Sequence, residues 1–192
     1  MKNKKTLILV ESAIMLGLAV ALSFIRIIKM PWGGSVTLLS MLPLALISIK
    51  HGLKWGLSAA FLYSVIQLLI DLGEVTAWGL TPLIFTGMIF LDYLFAFTSI
   101  GLAGIFRRKG FEGQCLGVIS AVAFRFFFHF LSGMLLWGEY AAYYEWAQGS
   151  VPLYSLIYNG AYMFPEIIFT AIGAAILLKA PYVRKLFTES AN

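Results

Sequence analysis

Six apolar runs follow one another along the chain, at 6–28, 36–49, 52–70, 80–106, 116–137 and 153–178. Most are close to the length a bilayer demands. A helix rises about 1.5 Å per residue and the hydrocarbon core is about 30 Å thick, so a span needs about 20 apolar residues. Within hydrocarbon every backbone amide must find its partner inside the protein, which leaves the helix as the natural solution for such segments. The pattern predicts an all-α integral membrane protein of six transmembrane helices, forming one membrane domain over residues 1–192. Composition supports this, because 60% of residues are hydrophobic and only 12% are charged. A soluble domain carries about 25% charged residues. The 36–49 run is shorter and contains Pro43, which predicts a kinked or tilted second span.

The basic residues give a topology. Lys2, Lys4 and Lys5 precede the first run, and Lys50 and Lys54 separate the second from the third. Arg107, Arg108 and Lys109 separate the fourth from the fifth, and Lys179, Arg184 and Lys185 follow the sixth. With six alternating spans these eleven of the fourteen basic residues share one side. The positive-inside rule makes that side cytoplasmic, with both termini there and the chain in the cell membrane. Arg26 and Lys29, at the outer end of the first span, and Arg125, within the fifth, are the exceptions. Trp32, Trp78, Trp137 and Trp146 fall on the outer side and Trp55 on the inner. The first run has the basic start and the small-residue triplet Ala19-Val20-Ala21 of a signal peptide. Glu11 interrupts its apolar core and more spans follow, so it is expected to remain as a helix.

Polar side chains inside a membrane are costly and mark function. Asp92, within the fourth run, reads either as an internal partner for Arg125 or as a carboxylate aimed at a cationic ligand. His129 and Trp137 lie eight residues apart on the fifth run, about two and a quarter helical turns, and share a broad face. Gly133 between them leaves room for a flat ring, so the three suggest one wall of an aromatic pocket. Tyr154 and Asn159 open the last run, about 140° apart on a helix, and converge only if the backbone bends. Asn159 satisfies backbone or offers its amide to a ligand.

Enzyme signatures are absent: the chain has no HExxH, GxSxG, CxxC or phosphate-binding loop. Any ATP hydrolysis would fall to separate subunits. The lone Cys115 forms no internal disulfide, the two histidines do not make an intramembrane pair, and no metal or other cofactor is expected. The basic loops are explained by topology and imply no nucleic-acid partner. In the first run Ala13, Gly17 and Ala21 recur every four residues, a smooth stripe suited to close helix contact in lipid. The stripe serves either packing within the chain or docking onto another membrane protein.

Three strings carry a resemblance: FLDYLFAFTSIGLAGIFR at 90–107, RFFFHFLSGMLLWGEYA at 125–141 and YSLIYNG at 154–160. Through these, and over nearly its whole length, the sequence resembles the thiamine-specific S-components (the ThiT or YuaJ group) of energy-coupling-factor vitamin transporters. The resemblance implies six helices with both termini inside and a thiamine pocket near the outer face. It places the acidic ligand residue at Asp92, its neighbouring tyrosine at Tyr93, the histidine at His129 and the stacking tryptophan at Trp137. The tyrosine and asparagine of the last segment fall at Tyr154 and Asn159, with Trp32, Tyr63 and Trp78 as further contacts. It also implies partners, a transmembrane coupling subunit and two cytoplasmic ATPases, and it matches Ala13, Gly17 and Ala21 to the docking surface. The ligand chemistry agrees, since a permanently cationic thiazolium suits a carboxylate and aromatic faces. The competing expectation is a self-sufficient thiamine carrier, proton-coupled through Asp92, Arg125 or Glu166.

Overall fold

The computed structural model describes residues 4–183 and 185; Lys2 and Arg184 of the basic clusters lie outside them. Five helices are long and apolar enough to cross a bilayer: α1 (Lys4–Ser23), α3 (Leu53–Ala77), α4 (Pro82–Phe106), α5 (Gly110–Leu135) and α6 (Val151–Lys179). Between α1 and α3 lies the shorter α2 (Met41–His51). The protein is a multi-pass, almost wholly helical membrane protein. Large side chains such as Ile14, Leu135 and Ile176 face outward and are two-thirds exposed, which lipid rewards and water would not.

The helix ends depart from the expected spans in three places. The first span was expected to run to residue 28, but α1 stops at Ser23. There the Ser23 hydroxyl turns back onto the Val20 carbonyl at 2.7 Å. The β-branched stretch that follows forms β1 (Arg26–Lys29), which pairs antiparallel with β2 (Ser35–Thr37). Gly33 and Gly34 turn the ribbon with φ of +82° and +85°, a region where a Cβ is strained.

The second span was expected over 36–49, yet only Met41–His51 is helical, about 16 Å of rise. Val36 and Thr37 belong to the ribbon, and Leu39 adopts φ +60° before the helix starts. Pro43 falls in the first turn of α2, where no intrahelical amide bond is lost, so it begins the helix rather than kinking it. The third span, expected to end at residue 70, continues to Ala77. Asp71 and Glu74, read as loop residues, are tolerated on the helix because Arg26 and Lys29 of β1 pair with them, each at 3.0 Å.

At one end of the bundle, Glu11 of α1 receives Lys50 and His51 at 2.8 and 2.9 Å, and the Trp55 indole donates to Ser12. Arg107 donates to the Lys50 carbonyl at 3.4 Å, and Lys179 lies over the Phe111 ring. Lys50 and Arg107, from two loops expected to share one side, are therefore neighbours in space. This end is tightly packed. A Cβ on Gly56, Gly101, Gly104 or Gly117 would come within 3 Å of Ser48, Leu57 or Ala103, so α2, α3, α4 and α5 meet backbone to backbone. The Ser48 hydroxyl spans the contact, donating to the Gly101 carbonyl and accepting from the Gly104 amide.

Candidate binding site

The opposite end holds an open cavity walled by β1, the ribbon turn, α3, α4, α5 and α6. The residues that build it are placed by local irregularities. In α4 the backbone widens into a π-helical stretch (Ile89–Phe95) around Asp92; such departures recur at functional sites. In α5 the helix ends at Leu135, and Trp137 lies just beyond with φ −113° and ψ 12°. The indole thereby folds back over the last turn.

Asp92 is the hub. Its Oδ1 accepts from His129 Nδ1 at 3.0 Å, and its Oδ2 accepts from Ser132 Oγ at 2.6 Å and Trp137 Nε1 at 3.3 Å. Trp137 Nε1 is also 3.2 Å from Ser132 Oγ. This corrects the alternative in which Asp92 pairs with Arg125. That guanidinium instead lies 4.4 Å from the centre of the Phe97 ring, with Nη1 3.5 Å from Met41 Sδ. The reason is geometric: His129 is one helical turn beyond Arg125 on α5 and reaches Asp92 first. A neutral His129 whose Nδ1 proton is given to Asp92 leaves Nε2 as an acceptor. Nε2 is buried and has no protein partner.

Of the carboxylates that line the cavity, Asp71 and Glu74 are matched by Arg26 and Lys29. Asp92 is held by a histidine, a serine and an indole, with no lysine or arginine on it. A hydrogen-bonded carboxylate without a cationic side chain, at the edge of a partly apolar cavity, has charge to give to a cation.

Aromatic rings surround it. Trp78 meets Trp137 edge-on at 5.9 Å and 84°, Tyr140 lies 6.0 Å from Trp137, and Trp32 lies 4.9 Å from Tyr140. On the α6 side, Tyr154, Tyr158, Asn159 and Tyr162 all line the cavity. Tyr154 is stacked on by Tyr144 and Trp146 from the α5–α6 connection. Asn159 satisfies backbone, the first of the two roles expected of it. Its amide nitrogen donates to the Ser155 carbonyl at 3.0 Å, and its oxygen accepts from Tyr162 at 2.7 Å while the side chain edges the cavity.

Two expectations need correction. Tyr63 is fully buried and does not line the cavity; it supports the wall from behind through an edge contact with Phe97 at 5.4 Å. Gly133 lines the cavity, but the space its missing side chain leaves is filled: a Cβ would collide with Ser155 and Asn159. Gly133 lets α6 approach α5 and so brings Asn159 to the site. Trp32 and Trp78 do reach the cavity, as do Asp92, Tyr93, His129, Trp137, Tyr154 and Asn159.

Sequence reasoning missed Asp71, Gln67, Tyr158 and Tyr162 as cavity residues, and Ser132 as a donor to Asp92 behind them. Arg26 and Lys29 carried a signal, because they broke the charge rule; cations on the wrong side need partners, and those partners are at the cavity.

Fold and site together define a multi-pass membrane protein with a cavity of aromatic rings and carboxylates at one end of its bundle. The chain belongs to the thiamine transporter protein family Thia_YuaJ, which it matches over residues 9–185. It is 34% identical to the thiamine transporter ThiT of Bacillus subtilis over 200 aligned residues, covering 96% of this chain and 97% of that one. It is 28% identical to ThiT of Lacticaseibacillus paracasei, over 92% and 89% of the two chains. A solved structure of ThiT from Listeria monocytogenes superimposes with a TM-score of 0.72 at 28% identity, covering 96% of this chain and 99% of that chain.

Proposed function

We infer that the chain is the thiamine-binding membrane subunit of an ATP-driven vitamin importer of the energy-coupling-factor type. The observation that carries the binding half is Asp92, buffered by three uncharged donors and facing a cavity with Trp137 and Trp78 beside it. A thiazolium placed there meets a carboxylate and aromatic faces, each cation–π contact contributing about 0.5–2 kcal/mol. The aminopyrimidine has His129 Nε2, Tyr154 and Asn159 within the same cavity for its donors and acceptors.

The coupling half is supported by α1. Ala13, Gly17 and Ala21 are exposed, and a Cβ added at Gly17 meets nothing within 4 Å. Among the described residues no other helix packs against the stripe, which leaves it open for a transmembrane coupling subunit that would carry the force of two cytoplasmic ATPases. In this reading the basic end and both termini face the cytoplasm and the cavity opens outward, as the positive-inside rule requires of a chain in the cell membrane.

The test is a titration of purified protein with thiamine, followed by tryptophan fluorescence. Wild type should be quenched on binding, and Asp92→Asn and Trp137→Ala should each weaken affinity at least about tenfold, about 1.4 kcal/mol. Wild-type affinity in both variants would remove the site assignment. Uptake in a host lacking the coupling subunits separates importer from self-sufficient carrier, since only the carrier works alone.

A further inference from the structure

The established features of the cavity leave Asp71 without a task, although it is the carboxylate that touches most elements at the outer end. It sits on α3, and its two oxygens serve two different parts of the wall. Oδ1 accepts from Arg26 Nη2 of β1 at 3.0 Å, and Oδ2 accepts from the Tyr93 hydroxyl of α4 at 3.3 Å. The Arg26 and Asp71 side chains are 27% and 22% exposed, against 49% and 39% for the neighbouring Lys29–Glu74 pair. Charged contacts sheltered from solvent couple more strongly than exposed ones. Tyr93 is buried, adjoins Asp92 in the π-helical stretch and lies against Phe97 at 6.1 Å.

The arrangement solves two problems at once. Arg26 would otherwise present a bare cation to a cavity that receives a cation. Tyr93 would otherwise hold a buried hydroxyl with no acceptor, which costs the desolvation of that group. A single carboxylate satisfies both, and in doing so it joins the ribbon to the residue next to Asp92.

We propose that Asp71 is a positioning residue for the ligand: its carboxylate bridges Arg26 and Tyr93, so that the seating of the outer ribbon sets the wall beside Asp92. The proposal rests on the thiamine-binding reading for its effect on affinity, though not for the bridge itself. It makes Arg26 and Tyr93 energetically coupled although they do not touch. Lys29, three residues further along β1 and paired to Glu74, is not coupled to Tyr93.

The experiment has a ligand-bound and a ligand-free arm. In the first, thiamine affinity is measured by tryptophan quenching for Arg26→Met, Tyr93→Phe and the double variant. The singles should each weaken binding about three- to tenfold, and the double by at least about threefold less than their product, as for residues sharing one network. Arg26→Lys should restore the coupling, whereas Lys29→Met and Tyr93→Phe should multiply. In the second arm, 3-fluorotyrosine is placed at position 93 and its fluorine resonance recorded without ligand. The signal should move in Arg26→Met and Asp71→Ala and stay in Lys29→Met. An unmoved signal in both Arg26→Met and Asp71→Ala overturns the bridge, whether or not thiamine binds. A moved signal with multiplicative affinities overturns its role in binding. Failure of wild type to bind thiamine would sink the functional reading and the proposal's effect on affinity, while the fluorine arm still decides the bridge.

Discussion

The two ends of the helix bundle are built on opposite principles. At the basic end, four helices close on one another through Gly56, Gly101, Gly104 and Gly117, and the Ser48 hydroxyl is spent on backbone groups. At the other end the helices are held apart by large rings, by a two-stranded ribbon and by ion pairs, and a cavity remains. Removing a side chain lets backbones touch and gains dispersion contacts, which is the main source of helix association in lipid. Adding indoles and phenols keeps backbones apart and leaves room for a ligand. The lesson is that binding and stability are partitioned along the membrane normal, so damage at one end should read out differently from damage at the other.

The largest effect should come from the closed end. Gly117→Leu would drive a branched side chain into the Ala103 carbonyl, and overpacking of a close helix contact costs about 1–3 kcal/mol or more. Loss of folded protein in detergent, seen by size-exclusion chromatography and thermal unfolding, is the expected result. Normal folding with impaired binding would break the partition. A smaller, purely binding effect should follow Ser132→Ala, which takes one donor from Asp92 and one acceptor from the Trp137 indole. Thiamine affinity should fall about five- to tenfold, about 1 kcal/mol, with the unfolding temperature unchanged. Lys29→Met removes a solvent-exposed ion pair, and pairs of that kind contribute about 0–1 kcal/mol. Affinity should stay within about threefold of wild type, measured by the same titration.

The smallest effect on binding should come from a face that belongs to neither end's interior. Gly17→Leu adds bulk where none of the described residues stands within 4 Å of a Cβ, so thiamine affinity and unfolding temperature should match wild type. In cells that carry the coupling subunits, the same variant should lose uptake and fail to co-purify with them. A fall in affinity would mean that α1 transmits strain to the cavity, and the comparison would need three regions instead of two.

Much of this molecule is visible in the order of its residues. The five long apolar helices follow from run length, because burying about 20 apolar residues in hydrocarbon is a property of each segment taken alone. The grouping of Lys50, Arg107 and Lys179 at one end follows from alternation of those segments. The interest of Asp92, His129 and Trp137, which the structure brings to one cavity, follows from the cost of polarity in a membrane and from strings specific enough to indicate the family.

What the tertiary structure alone decided is which of those groups meet. Asp92 had Arg125 as its candidate partner within the chain, and the wound-out turn at Ile89–Phe95 together with the early end of α5 gave it His129, Ser132 and Trp137. Gly133 looked like space for a ring and proved to be the place where Ser155 and Asn159 come close. Residues 71–77 looked like a loop because they hold two acids, and they are helix because their counter-charges lie 45 residues earlier in the chain, on a ribbon that apolar run length had assigned to spans. Run length and charge are local quantities that a chain carries in any conformation; a partner 45 residues away exists only once the backbone has brought it there.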